Sequence, residues 1–333
     1  MVCGKVNFTN LSRYSKLSER TYRRHFAVPY AFISLNAALI GEAITPKHFQ
    51  VAVVDASFVP KSGKATDGLD RFWNGKASRA ERGLEISMIA VVDVEQAMGY
   101  SLSVQQTPAS EPNREQPAER TRVDDYLDHL RATRAALPAA VRYLVGDGFY
   151  SKLKWVEGVI ALNLEVIGKL RCDANLKYLY DGPQKPRGAR RKYDGKVDLT
   201  DLSRWQSLGK DDNDISLYTA IVWSVSLKRK IRVVYLVNHK HHKKLCYALL
   251  FSTDIDIDPI QLYEAYAARF QIEMCQPQYP HRHLADAVEG VSLEAVFQAF
   301  IFSYKVLSRL SSIVLRYFRR NSNVGGVSFP MQT

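Results

Sequence analysis

The feature that most constrains this chain is a short apolar, β-branched run that ends in a carboxylate, Val51 to Asp55. Such a run predicts a strand in a sheet that is covered on both faces, because valine side chains point to both sides. A charge at the end of a buried strand is costly unless a cation meets it, and a divalent metal ion is one candidate. The run therefore predicts a central strand and marks Asp55 as a candidate functional residue.

A second run has the same design, because Val141 to Val145 is followed by Gly146 and then Asp147. A third carboxylate, Glu273, comes at the end of a helix signal that begins with Asp258 and Pro259, a good N-cap followed by a good first helical residue. Two strand-end aspartates and one helical glutamate can hold Mg²⁺ and leave positions for phosphate and water. The alternative is structural, with two strand-end caps and one surface charge.

The order of the predicted elements indicates the fold class. Two alternating segments after Asp55 predict antiparallel neighbours of the first strand, and a helix separates them from the strand of Asp147. This order predicts an α/β fold, with an RNase H-like mixed sheet flanked by helices and the two aspartate-bearing strands adjacent at its centre. The predicted elements after Asp55 are strands at 83–92 and 99–107, a helix at 121–137, the Asp147 strand, a helix at 152–162 and a strand at 165–170.

Residues 172–250 interrupt this alternation and predict a mostly β insertion. Its basic segment contains Arg190, Arg191 and Lys192, which suits contact with a phosphate backbone. A solvated β-meander with exposed lysines is the structural alternative. The chain thus divides into a helical region at 1–45, the first part of the core at 46–171, the insertion, and a C-terminal helical part at 251–333.

The first 45 residues predict a small helical region. Ser18 and Glu19 suit the start of a helix that carries Arg20, Arg23 and Arg24. Two short helices, of which the second is basic, resemble a helix-turn-helix that reads DNA. A small helical subdomain with a solvated basic face is the other interpretation.

Composition supports a polyanionic partner, since the chain has a net charge of +12 among 333 residues and a pI of about 9.4. A merely basic enzyme remains the alternative. The four cysteines are scattered without a Cys-x-x-Cys pair, which argues against a zinc ribbon and a disulfide framework and suits a reducing compartment. Charged residues interrupt the apolar stretches, so no membrane span is expected.

The motifs resemble those of the DDE transposases of bacterial insertion sequences, in the subgroup with a Tyr-Arg-Glu-Lys signature and a β insertion. The resemblance implies that Asp55, Asp147 and Glu273 are the catalytic, metal-binding carboxylates and that Tyr266 and Arg269 lie near the scissile DNA. It also implies Mg²⁺ as cofactor, with Mn²⁺ as a substitute, a homodimer acting on DNA, and a bacterial cytoplasmic location at the nucleoid. The segments that carry it are Val53 to Lys64, Phe72 to Gly75, Gly83 to Ser87, Leu144 to Tyr150, and Tyr266-x-x-Arg269-x-x-x-Glu273.

The sequence departs from this family after Glu273. The family has a lysine seven positions later, whereas this chain has Pro280, preceded by Pro277. Two prolines so close together end a helix. Two alternatives to an active transposase therefore stay open, a truncated or inactive remnant that only binds DNA and a host RNase H-like nuclease.

Overall fold

The apolar runs of the sequence form one mixed sheet in this computed structural model, which describes residues 8–26, 31–63, 66–110, 120–211, 214–238 and 246–272. Within these ranges the sheet has 12 strands and is accompanied by six α-helices. The helices are α1 (Phe8–Arg13), α2 (Glu19–Phe26), α3 (Phe32–Ala43), α4 (Arg122–Thr133), α5 (Leu153–Ile160) and α6 (Pro259–Ala268). The strands are β1 (Gln50–Pro60), β2 (Asp70–Asn74), β3 (Arg79–Asp93), β4 (Met98–Gln106), β5 (Tyr143–Val145), β6 (Glu165–Leu170), β7 (Leu176–Leu179), β8 (Tyr193–Lys196), β9 (Gln206–Lys210), β10 (Ile215–Ser224), β11 (Arg229–Asn238) and β12 (Cys246–Ser252).

Five strands form the predicted core in the order β4-β3-β1-β5-β6. Strand β3 runs antiparallel to both β1 and β4, whereas β1 pairs with β5, and β5 with β6, in parallel. The first half of β3 also pairs with β2, a short strand that the sequence did not predict. The predicted α/β fold with a mixed sheet is confirmed, and the strand of Asp55 lies beside the strand that leads to Asp147.

The strands of the insertion continue the same sheet. Strand β12 pairs with β6, and β11, β10, β7 and β8 follow in that order, with β9 paired to β10. The prediction that this segment is mostly β is therefore right. No sequence pattern indicated that its strands would extend the core sheet, because that choice depends on which edges meet.

The two faces of the sheet are covered by different helices. On one face, α3, α4 and α5 pack on a core that includes Ala52, Val54 and Leu144. On the other face, α6 packs on a core that includes Val51 and Val53. Alternate residues of a strand point to opposite faces, so even-numbered residues of β1 face α4 and odd-numbered ones face α6.

Helix α6 is capped as predicted but is shorter than predicted. The side chain of Asp258 accepts hydrogen bonds from the backbone N–H groups of Ile260 and Gln261. The sequence predicted one helix through to Glu273, but α6 ends at Ala268. The next backbone bonds span three residues, as in Arg269 N to Tyr266 O, so the chain tightens into a 3-10-like turn.

Two further expectations concern cysteine and membrane association. Cys172, just after β6, is disulfide-bonded, which corrects the expectation that the scattered cysteines would stay unpaired. Sequence spacing could not show this, since pairing depends on which cysteines the fold brings together. Among the residues that the structure describes, no helix is long and apolar enough to cross a membrane.

The buried His129 of α4 makes the stability of the fold dependent on pH. Its ring nitrogens are hydrogen-bonded to the hydroxyls of Ser87 and Ser103, both at 2.9 Å, and burial lowers the pKa of His129 to about 4. In the unfolded chain His129 therefore takes up a proton near pH 6.5, whereas in the folded chain it stays neutral until the pH is close to 4. Its contribution to stability is complete above pH 6.5 and declines as the pH falls towards 4.

We expect the free energy of unfolding to fall by about 2 kcal/mol between pH 6.5 and 5 because of this residue. Urea unfolding at both pH values measures the effect. The variant His129→Gln keeps hydrogen-bonding capacity without titrating, so its stability should change less over this range. An equal change in both proteins would assign the pH dependence to other groups.

Candidate active site

Asp55 and Asp147 belong to two adjacent parallel strands, with Asp55 in the middle of β1 (Gln50–Pro60) and Asp147 two residues after the end of β5 (Tyr143–Val145), so the prediction that Asp55 ends its strand is wrong. Ala52 is opposite Leu144 and Val53 is opposite Val145, and the same register continued by two residues puts Asp55 opposite Asp147. The Gly146 N–H donates to Ile167 O at 3.1 Å, so the hydrogen-bonded ladder continues almost to Asp147. Because β5 ends at Val145, Asp147 lies at the carboxyl end of its strand, where ligands of α/β sheets bind, and the continued register brings Asp55 opposite it.

Both aspartates belong to the face of the sheet that α6 covers. Asp55 follows Val51 and Val53 in the alternation of β1, and its partner on β3 is Met88, a member of the same core. The backbone of Asp147 is still extended, with φ −75° and ψ −174°. Its Oδ1 accepts a hydrogen bond of 2.8 Å from the Phe149 N–H, which orients the carboxylate. Both side chains are half-buried and accessible from the end of the sheet.

Tyr150 packs behind the two aspartates. Burial raises the pKa of Tyr150 well above its usual value, and the charges of Asp55 and Asp147 raise it further. Its hydroxyl is buried without a hydrogen-bond partner among the described residues. A side chain at Gly146 would approach the Tyr150 ring to 2.9 Å, so a glycine is required where the ring crosses the strand. Tyr150 thus supports the Asp147 turn from the α4 side.

Helix α6 brings the predicted pair Tyr266 and Arg269 to the same site. Burial raises the pKa of Tyr266, and the nearby Arg269 lowers it while the charge of Asp147 raises it. This interaction places the Tyr266 hydroxyl within electrostatic range of Asp147. The guanidinium carbon of Arg269 lies 5.6 Å from the centroid of the Tyr266 ring. Tyr266 and Arg269 thus lie next to each other on the side of the sheet that carries Asp147.

Tyr266 and Arg269 are less accessible than residues that contact DNA from an exposed helix face. Tyr266 is half-buried, and Arg269 is only 8% exposed, so neither residue stands out in solvent. The tightened turn at the end of α6 draws Arg269 inward. Its Nε–H is buried and has no hydrogen-bond partner in the part of the chain that the structure describes. An unpaired buried donor on a cation is costly, and an anionic oxygen would satisfy it.

Lys152 is a site residue that the sequence analysis missed. Burial lowers the pKa of Lys152, whereas the charge of Asp147 raises it. Its Nζ lies 3.5 Å from the centroid of the Phe149 ring, which holds the ammonium group close to the carboxylate. The only signal in the sequence was its position five residues after Asp147, directly before an amphipathic helix.

The third predicted carboxylate, Glu273, lies outside the described residues, which end at Ile272. Within the described ranges no three His, Cys, Asp or Glu side chains form a cluster that could hold a metal ion. The donors that are present, two carboxylates side by side, are hard oxygen ligands of the kind that Mg²⁺ and Mn²⁺ prefer. The described part of the site thus fits such an ion incompletely and needs at least one further ligand.

The basic residues of the N-terminal helices are exposed as predicted. Helices α1 and α2 form where the sequence indicated, and Ser18 Oγ accepts a hydrogen bond from Thr21 N as an N-cap. Arg20 and Arg24 are exposed, whereas Arg23 is held by Glu19 at 2.6 Å. That the pair reads DNA stays a prediction.

The basic segment of the insertion lies far from the aspartates. It precedes β8, six strands beyond β5 in the sheet, which is roughly 29 Å at the usual strand spacing. Arg190 and Lys192 are exposed. The side chain of Arg191 contacts nearby residues of the same segment, since it forms an ion pair with Asp194 and its guanidinium carbon lies 4.5 Å from the centroid of the Tyr180 ring. Arg190 and Lys192 remain the better candidates for DNA contact.

A comparison with protein families matches residues 34–228, more than half of the chain, to the DDE superfamily endonuclease family. The chain belongs to this family. The matched range of this DDE endonuclease contains Asp55, Asp147 and Lys152, whereas Tyr266, Arg269 and Glu273 follow it. The family supports an enzyme of the endonuclease type, and such enzymes generally depend on divalent metal ions.

Solved structures give only weak likenesses to this DDE endonuclease. Endonuclease V of Ciona intestinalis, in complex with a 24mer DNA containing an inosine, is 12% identical, with 71% of this chain and 86% of that chain covered and a TM-score of 0.30. Endonuclease V from Bacillus subtilis is 13% identical, with coverages of 89% and 96% and a TM-score of 0.30. Likenesses with such low scores support no functional conclusion. The comparison with curated proteins gives no match.

Tyr150 and Tyr126 provide a matched pair for testing the packing behind the aspartates. The Tyr126 hydroxyl donates to Glu85 Oε1 at 2.7 Å, whereas the Tyr150 hydroxyl has no partner in the described structure. We expect Tyr150→Phe to leave the stability unchanged or raise it by about 1 kcal/mol, and Tyr126→Phe to lower it by about 1–3 kcal/mol. Urea unfolding without DNA or metal measures both. A large loss of stability for Tyr150→Phe would show that its hydroxyl is paired.

Proposed function

We propose that this DDE endonuclease is a transposase that cleaves DNA at the ends of an insertion sequence and joins the freed 3′-hydroxyl to target DNA. Its substrate would be the two element ends, held by a homodimer at the bacterial nucleoid. One observation supports the proposal: β1 pairs in parallel with β5, with Ala52 opposite Leu144 and Val53 opposite Val145, and this register continued by two residues brings Asp55 opposite Asp147. The Tyr266–Arg269 pair beside them, in the spacing of the transposase signature, supports this subgroup.

Asp55, Asp147 and Glu273 are the residues that would hold Mg²⁺, or Mn²⁺ in its place. When bound, such ions lower the pKa of water or a 3′-hydroxyl and stabilise charge on the leaving oxygen during phosphoryl transfer. In the apo chain the two aspartates repel each other at close range. Cation binding between them would remove this repulsion, which is the physical reason for two carboxylates at one point.

The cationic side chains of the site would bind and orient the scissile phosphate. Arg269 is held against the rings of Tyr266 and Phe270, so its guanidinium is oriented before DNA arrives. Its buried Nε–H needs an acceptor, and a phosphate oxygen meets that need. Lys152 supplies a second positive charge beside Asp147 and is held by the Phe149 ring. Both groups would favour the added negative charge of the transition state.

The central test replaces each aspartate by its neutral isostere. We expect Asp55→Asn and Asp147→Asn each to lower Mg²⁺-dependent DNA cleavage by about 10⁴-fold, as removal of catalytic groups does in other enzymes. Cleavage of end-labelled DNA from the flanking genome measures the decrease. Asp173→Asn is the matched control, since Asp173 is 67% exposed and pairs with Arg171. Unchanged cleavage by either active-site variant would remove the proposed mechanism.

One alternative function has its own supporting observation. Pro277 and Pro280 follow Glu273 where the transposase signature has a continuing helix and a lysine, so the chain could be a remnant that only binds DNA. The same assay separates the two, because a remnant would bind DNA in a salt-dependent manner without cleaving it in Mg²⁺ or Mn²⁺. Cleavage without preference for particular DNA ends would instead identify a host nuclease.

A further inference from the structure

The β2–β3 ribbon extends the catalytic face of the sheet. We define this ribbon as β2 (Asp70–Asn74) together with its partner segment, residues 79–83 of β3. Strand β3 pairs with β1 around Asp55 and then runs on past the end of the core. From Met88, opposite Asp55, to Ala80 is eight residues along β3, or roughly 26 Å. The ribbon therefore projects from the end of the sheet at which the aspartates lie.

One face of the ribbon carries an exposed tryptophan next to a cross-strand pair of arginines. Trp73 is opposite Ala80, and Arg71 is opposite Arg82, so these four side chains share a face. Trp73 is 62% exposed, whereas Trp155 is 1% exposed. Alternation along β3 puts Arg82 on the same side as Met88, the partner of Asp55. The tryptophan and the two arginines thus lie on the face of the catalytic carboxylates.

The opposite face of the ribbon is covered by protein, and its acidic side chains form ion pairs with arginines. Phe72 is buried there, and the guanidinium carbon of Arg122 lies 4.4 Å from the centroid of its ring. The acidic residues Asp70 and Glu81 belong to this closed face, where they pair with Arg122 and Arg79.

The open face keeps its charge and its aromatic surface available. Neither Arg71 nor Arg82 forms an ion pair within the described part of the chain, and Arg71 Nη2 only donates to Ala80 O at 3.0 Å. An exposed indole next to two exposed guanidinium groups offers an aromatic plane for stacking beside two positive charges. A positive face repels a second copy of itself, whereas nucleic acid offers phosphates for the arginines and base planes for the indole.

We propose that the open face of the β2–β3 ribbon binds DNA at a distance of roughly 26 Å from the carboxylates, the length of eight residues along β3. Trp73 stacks on an unstacked base, and Arg71 and Arg82 contact the adjacent phosphates. This inference rests on the proposed action on DNA and adds a contact that positions the strand beyond the metal-binding carboxylates.

Binding to a labelled single-stranded oligonucleotide of about 30 nucleotides in EDTA tests the proposal, since this length exceeds the proposed span. We expect Trp73→Ala to weaken binding by about 5- to 100-fold and Trp73→Phe to retain most of the affinity, because a phenyl ring still stacks. Met98→Ala is the control for removal of an exposed apolar side chain, as Met98 is 39% exposed and lies at the other end of β3. DNA should also quench tryptophan fluorescence in the wild type, and Trp73→Phe should lack most of this quenching.

The two arginines have a separate readout. Removing one phosphate-binding side chain should reduce the slope of log affinity against log salt concentration by about 0.7 for a single strand. We expect this decrease for Arg71→Ala and for Arg82→Ala, but not for Arg171→Ala, which removes an exposed arginine that is paired with Asp173. Trp73→Ala should lower the affinity without changing the slope.

The outcomes separate this proposal from the proposed function. Wild-type affinity of Trp73→Ala, with cleavage still dependent on Asp55, would overturn the ribbon proposal alone. The same result with a changed oligomeric state would assign the face to a protein partner instead. Ribbon-dependent binding without cleavage would overturn the transposase and leave the DNA-binding ribbon standing. A wild-type protein that does not bind the oligonucleotide would overturn the ribbon proposal and would leave the proposed function to be decided by cleavage of the element ends.

Discussion

The parallel pairing of β1 with β5 is the constraint on which the site depends. Only this register brings Asp55 and Asp147 to the same level at the end of the sheet. If β1 shifted by one residue relative to β5, Asp55 would face α4 and the buried valines of β1 would change faces. Burial of the Val51–Val54 run therefore stabilises the observed register. The hydrophobic core and the carboxylate pair are thus two consequences of one strand pairing.

The two faces of the sheet around this pair serve different purposes. On the α4 face, several buried polar groups are paired within the protein, as in the bonds of Tyr126 to Glu85 and of His129 to two serines, whereas the Tyr150 hydroxyl has no partner in the described structure. On the α6 face, Arg269 keeps a buried donor without a partner in the described structure, and the ribbon keeps two unpaired arginines. The two faces therefore differ in charge, because the exposed or unpaired cationic groups described above lie on the α6 face.

The insertion adds width to the sheet rather than a separate layer. Its strands continue from β6 through β12, and they carry exposed Arg190 and Lys192 to the far edge. The ribbon lies at the opposite edge, beyond β3. Basic groups at both edges, with the carboxylates between them, provide an arrangement that suits a long polyanion better than a small substrate.

Much of the fold was predictable from the sequence, because it depends on local periodicity. Apolar runs and alternation identified the core strands, and Asp258 with Pro259 identified the start of α6. Strand β2 was missed because five residues at a sheet edge give little periodic signal. The end of α6 was misplaced because the sequence does not distinguish an arginine that becomes buried, such as Arg269, from one that stays exposed. The candidate residues Asp55, Asp147, Tyr266 and Arg269 were named from the sequence, since each lies in a distinctive local context, and their roles stay a prediction.

The sequence by itself determined the α/β class, the core strands and the identity of the candidate carboxylates, since these follow from the chemistry of neighbouring residues. The tertiary structure alone decided which residues share a face and a position. It placed Lys152 beside Asp147, buried Arg269, and put Trp73 with Arg71 and Arg82 on the side of Asp55. These outcomes depend on the pairing of strands that are distant in sequence, and no local pattern records that pairing.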